Sequence, residues 1–106
     1  MENMHIYTCS TCSKIHVEIG NTIIHFATPE KLKTYLVYLE SIDVKYYSEI
    51  NRKRGLSKEI FLQITNESSL AFTVSEFEHF KHVIFDYLTG TEAFIKTAVF
   101  QSAFLN

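Results

Sequence analysis

The sequence predicts an α+β fold in which a strand–strand–helix unit occurs twice. Three observations predict it. Ile15, Val17 and Ile19 alternate with polar residues, and Ile60, Leu62 and Ile64 repeat that pattern. Each run leads through a turn to a second apolar run ending at Phe26 or Phe72, then to a hydroxyl placed to cap a helix, Thr28 or Ser75. Leu32, Leu36 and Leu39 follow at helical spacing, answered by Phe80, Ile84 and Tyr87. Neither unit buries its apolar face alone, so the two are expected to share one core. The expected architecture is a four-stranded, mainly antiparallel sheet with helices on one face, plus a C-terminal helix. The expected layout is one domain over 1–106: an N-terminal Cys-x-x-Cys segment 1–13, a first unit 14–55, a second unit 56–90 and an apolar segment 91–106.

Lys14 to Ile19 alternates with period two, which is the pattern of a half-buried strand. Gly20-Asn21 supplies the two positive-φ positions of a tight hairpin turn. That loop sets Ile19 against Thr22, Val17 against Ile24 and Ile15 against Phe26. It leaves His16 facing His25 on the outer side. Thr28-Pro29-Glu30 is a helix start, with a hydroxyl cap, a proline that needs no amide partner and an acid at the positive dipole end. Leu32, Tyr35, Leu36 and Leu39 share one stripe. The pattern blurs at 40–44. It resumes through Tyr46, Tyr47 and Ile50, as an extension or a second short helix, and Gly55 is the expected stop.

Lys58 to Thr65 alternates again, with Ile60, Leu62 and Ile64 inward and Phe61 and Gln63 outward. The polar run 65–69 is a turn, and Leu70, Phe72 and Val74 return on the core side. Ser75 and Glu78 are spaced as a capping box. Phe77, Phe80, Val83, Ile84, Tyr87 and Leu88 form the second stripe, which Gly90 is expected to end. In 91–106, Phe94, Ile95, Ala98, Val99, Ser102 and Leu105 suit a helix, with Phe100 and Phe104 off the stripe. A strand would instead align Phe94, Ala98, Phe100 and Phe104. Phe94, Val99, Phe100 and Phe104 are the candidate interaction residues, since leftover aromatic surface often meets a partner.

At 106 residues there is room for one core. The net charge of −2 gives no general pull toward nucleic acid or anionic membrane. No apolar run reaches the ~20 residues of a membrane span. The first five residues carry no basic region followed by an apolar stretch, so secretion is not expected and the cytoplasm is. There, two cysteines at x-x spacing suit free thiols or a metal pair better than a structural disulfide.

His5, Cys9, Cys12, His16 and His25 fall close together in sequence. Zinc takes four thiolate or imidazole ligands in tetrahedral array, and a Cys-x-x-Cys knuckle aims two sulfurs at one point. Cys9, Cys12, His16 and His25 are therefore the candidate zinc ligands, with His5 as a substitute. A fully extended path from Cys12 to His16 separates their Cα atoms by about 13 Å. A metal shared by Cys and His tolerates about 9–10 Å. The site thus requires a bend at Cys12-Ser13, or the use of His5 instead. A redox dithiol fits less well, because these cysteines precede a strand rather than opening a helix. Inert thiols remain the alternative.

Arg52-Lys53-Arg54, with Lys45, Lys58, Tyr46 and Tyr47 nearby, is a candidate basic patch for phosphate and base contact. A solvated helix end suited to its dipole is the plainer reading. Glu76, Glu78, His79 and His82 share a helix, where a charged solvent face is expected over a metal pair. No phosphate-cradling Gly-rich loop or strained Ser elbow is present, so no catalytic residue and no enzyme activity are expected.

Tyr7-Thr-Cys9-Ser-Thr-Cys12-Ser-Lys-Ile15-His-Val17-Glu-Ile19-Gly20-Asn21 resembles the opening of a small uncharacterised family of Bacteroidota, a domain of unknown function. The resemblance covers about residues 4–88. It implies Cys-x-x-Cys followed by two strand–strand–helix units, and no activity. Relatives carry a further Cys or Cys-x-His at the start, which would complete a metal site; here only His5 stands there. The expected function is a non-enzymatic protein–protein interaction module, as a homodimer or within a larger cytoplasmic assembly, with a zinc knuckle. The alternative is a zinc-dependent nucleic-acid-associated protein.

Overall fold

The computed structural model describes residues 4–93. In order these form β1 (Met4–Thr8), β2 (Ile15–Ile19), β3 (Thr22–Phe26), α1 (Pro29–Glu40), α2 (Val44–Lys53), β4 (Ile60–Thr65), β5 (Ser68–Phe72) and α3 (Val74–Ala93). The order β2-β3-α1 and β4-β5-α3 is the expected repeat. The sheet arrangement is not as expected. Among the described residues there are two antiparallel sheets, β1-β2-β3 and β4-β5, rather than one of four strands.

β1 is the main addition. It pairs antiparallel with β2 from Met4↔Ile19 to Thr8↔Ile15. Met4 and Ile6 pack against the core while His5 and Tyr7 are exposed, so the period-two pattern is present in those residues. The two hairpins share no backbone ladder. They join through side chains instead. Ile15, Val17 and Ile19 from the first and Ile60, Leu62, Leu70 and Phe72 from the second lie in one apolar cluster with Leu32, Leu36, Leu39, Phe77, Phe80, Ile84 and Leu88. α3 contacts α1, β1 and β5, so one helix ties both sheets together. Thr8 and Tyr87 fix that junction by a 2.7 Å hydroxyl–hydroxyl hydrogen bond.

The β2–β3 register is the expected one, including His16↔His25 and Val17↔Ile24. In the β4–β5 hairpin Ile64 was expected inside and is 41% exposed. A register shift between Gln63 and Thr65 breaks the alternation there. α1 begins as expected: Thr28 Oγ1 accepts from the Lys31 N–H at 3.2 Å, with Pro29 in the first turn. α2 is a separate helix capped by Asp43, whose carboxylate accepts from the Tyr46 N–H at 3.1 Å. Arg54 ends it, and Gly55 follows at φ 77°, as a C-terminal glycine does.

The capping box of α3 lies two residues earlier than Ser75–Glu78. Thr73 Oγ1 accepts from the Glu76 N–H at 3.1 Å, and Glu76 Oε1 accepts from the Thr73 N–H at 2.9 Å. Val74 is therefore the first helical residue, not the end of a strand. Gly90 does not end the helix, which continues to Ala93. Glycine costs a helix only about 1 kcal/mol relative to alanine, so packing carries the helix through it. Phe94, Val99, Phe100 and Phe104, and with them the expected C-terminal helix, lie outside the described residues. Among the described residues no helix is long and apolar enough to cross a membrane.

Candidate metal centre

Cys9 and Lys14 continue the β1–β2 ladder by one bond, Cys9 N–H to the Lys14 carbonyl at 2.8 Å. Between them the chain must reverse within four residues. Ser13 achieves this at φ 62°, in the left-handed region, and its N–H bonds back to the Cys9 carbonyl at 3.0 Å. This is the bend that a metal shared by Cys12 and His16 would require. It folds the Cys-x-x-Cys loop over the end of the sheet and brings Cys12 Sγ to 3.5 Å from His16 Nε2.

Cys9 Sγ, Cys12 Sγ and one His16 ring nitrogen lie within 4.8 Å of one another, a group able to hold a metal ion. Cys9 is half-buried and Cys12 exposed; no disulfide joins them. The Cys12 thiol and the Thr11 hydroxyl (3.1 Å) hydrogen-bond to the Cys9 sulfur, and the Cys12 N–H reaches it at 3.3 Å. These donors favour the thiolate and bring the Cys9 thiol down to about 6. Thiolate is the form that binds metal.

The rest of the outer face stacks on His16. His25 lies face-on to it, ring centroids 4.3 Å apart and 24° between planes, and Tyr7 flanks the other side at 5.1 Å. His25 is thus beside these three side chains without belonging to their cluster. The Tyr7 hydroxyl donates to Glu18 at 2.9 Å, and this bond is the main reason its pKa is raised. His5 lies opposite Glu18, one row away from His16, and is not part of the group.

Two of the cations in and around the basic patch are engaged by acids. Arg52 donates to Ser48 at 2.8 Å and to Glu59 at 2.9 Å. Lys58 pairs with Glu76 at 2.7 Å. Glu59, which sequence reasoning overlooked, is the hub of this region. It also accepts from Ser48 Oγ and from the Val74 N–H, while its carbonyl takes the Asn51 side chain at 2.6 Å. The Val74 N–H, then Arg52 and Ser48, hold its carboxyl below the usual range. Ser48 and Asn51 are buried polar residues of α2 turned to Glu59, and no local sequence pattern marks them. On α3, Lys81 bridges Glu40 (3.0 Å) and Glu78 (3.2 Å), and His82 pairs with Asp86 at 3.1 Å. Among the described residues Glu76, Glu78, His79 and His82 form no metal-ligand group.

No curated protein and no solved structure matches the chain. One family does, over residues 1–105, so the segment after residue 88 is family sequence as well. The chain belongs to the family of unknown function DUF6686.

Proposed function

We propose that this chain is a non-enzymatic interaction module of the cytoplasm, self-associating or docked on a larger assembly, with one structural zinc ion at its N-terminal hairpin. Cys9, Cys12 and His16 hold the ion, and His25 supplies the fourth ligand by turning its ring out of the stack. The observation that carries the zinc reading is the convergence of two sulfurs and an imidazole nitrogen within 4.8 Å. Two thiolates and two neutral imidazoles are a common zinc set and would neutralise the cation. The ion's task is mechanical. It pins a loop that otherwise rests on a strained Ser13 and a few hydrogen bonds. In the cytoplasm the thiols stay reduced and free to ligate.

The nucleic-acid alternative loses support because Arg52 and Lys58 are engaged by Glu59 and Glu76. Elemental analysis of protein purified without chelator tests the zinc site. One zinc per chain, removed by chelator with a fall in melting temperature, is expected; metal-free protein contradicts it. Light scattering after size exclusion tests self-association.

A further inference from the structure

A second feature lies away from the metal centre. Tyr38 of α1, Tyr46, Tyr47 and Ile50 of α2, Phe61 of β4 and Arg54 line a groove of ≈ 440 Å³. Tyr38, Tyr46, Tyr47 and Phe61 are 46–54% exposed, although aromatic rings are among the first groups to be buried when a core has room. Tyr46 and Tyr47 meet edge to face at 5.2 Å, so the rings present two differently oriented walls. Among the described residues the hydroxyls of Tyr38, Tyr46 and Tyr47 have no hydrogen-bond partner, and the Arg54 guanidinium has no ion pair. Arg52, by contrast, is held by Glu59.

We infer that this groove binds an extended, proline-containing peptide with an acidic side chain, supplied by a partner protein. The inference rests on the interaction-module reading. Flat, rigid rings set as walls accept pyrrolidine rings. A polyproline II strand has no internal hydrogen bonds, so its carbonyls need donors, and free phenol hydroxyls are such donors. Arg54 puts one positive charge in the lining of the groove, which fits a single carboxylate on the ligand. A second copy of this chain fits poorly: its single proline, Pro29, is already used in the first turn of α1. Single-stranded RNA also stacks on tyrosines, but a single unpaired guanidinium and a net charge of −2 offer little phosphate attraction.

Fluorescence anisotropy of the full chain tests it. The probe is a short labelled peptide of alternating Pro-Pro-Leu and Pro-Pro-Asp triplets. The controls are the same peptide with glycine for every proline, the same peptide with asparagine for every aspartate, and labelled oligouridine. The proline peptide is expected to bind, and Tyr46→Ala to weaken it about tenfold or more. Tyr46→Phe, which keeps the ring and the fold, is expected to weaken it less. Arg54→Gln should abolish the difference between the aspartate and asparagine peptides. Light scattering of the same samples reads self-association independently of peptide binding, so failure of this inference and failure of the interaction-module reading are told apart. No binding, equal binding of the glycine peptide, or Tyr46-dependent binding of oligouridine in its place would overturn the inference.

Discussion

His16 Nε2 lies 3.5 Å from Cys12 Sγ because a single residue between them, Ser13, adopts φ 62°. A left-handed serine is costly by about 1 kcal/mol relative to glycine. Ser13→Gly is therefore expected to raise the stability of the metal-free protein by about that amount in a urea melt. Ser13→Val should lower it and weaken zinc binding together, since a β-branched residue resists this region. Equal behaviour of the two variants would show that the bend is not a constraint.

The α3 cap distinguishes two neighbouring hydroxyls. Thr73→Ala removes the acceptor for the Glu76 N–H and should cost about 1 kcal/mol. Ser75→Ala touches an exposed helical position and should change stability by less than about 0.5 kcal/mol. Thermal melts of the pair settle the position of the cap; the reverse order would restore the Ser75 box.

Glu59 ties α2 to the start of α3, and its carboxyl is held below the ordinary value of 4.5. A depressed acid contributes stability above its unfolded pKa and loses it as pH falls through the folded one. Glu59→Gln is expected to lower the melting temperature at neutral pH. Its deficit against the wild type should shrink as pH falls below 4.5. A deficit independent of pH would mean that the charge is not what matters.

Tyr35 sits between Phe26 and Phe80, and burial pushes its phenol up to about 12. Its folded pKa is raised, so its contribution is complete below the unfolded value of 10 and is lost as pH rises toward 12. Tyr35→Phe should flatten the loss of stability between pH 10 and about 12 in alkaline denaturation. An unchanged alkaline limb would place that ionisation elsewhere.

Local pattern was readable where it was self-contained. The two-residue turn and strict alternation gave every pair of the β2–β3 register, although of the two turn residues only Gly20, at φ 57°, and not Asn21 takes the expected positive φ. Cys9, Cys12 and His16, whose sulfurs and ring nitrogen converge within 4.8 Å, were readable as a group from type and spacing. What escaped depended on distant parts of the chain. β1 has its own alternation, but five residues beside a Cys-x-x-Cys read more easily as a loop than as a third strand. Separation into two sheets is decided by α3 packing on both β1 and β5, which no window of sequence contains. Arg52 looked like a free cation because Glu59, its partner, lies across the loop that follows α2. His25 was placed correctly opposite His16, but its ring orientation is a tertiary detail.

The metal centre is the claim on which the account rests, and X-ray absorption at the zinc edge addresses it directly. The expected first shell of the purified protein is two sulfurs at about 2.3 Å and two nitrogens at about 2.0–2.1 Å, with one nitrogen replaced in His25→Ala. Protein that takes up no zinc, or a shell of oxygen and nitrogen without sulfur, would contradict it.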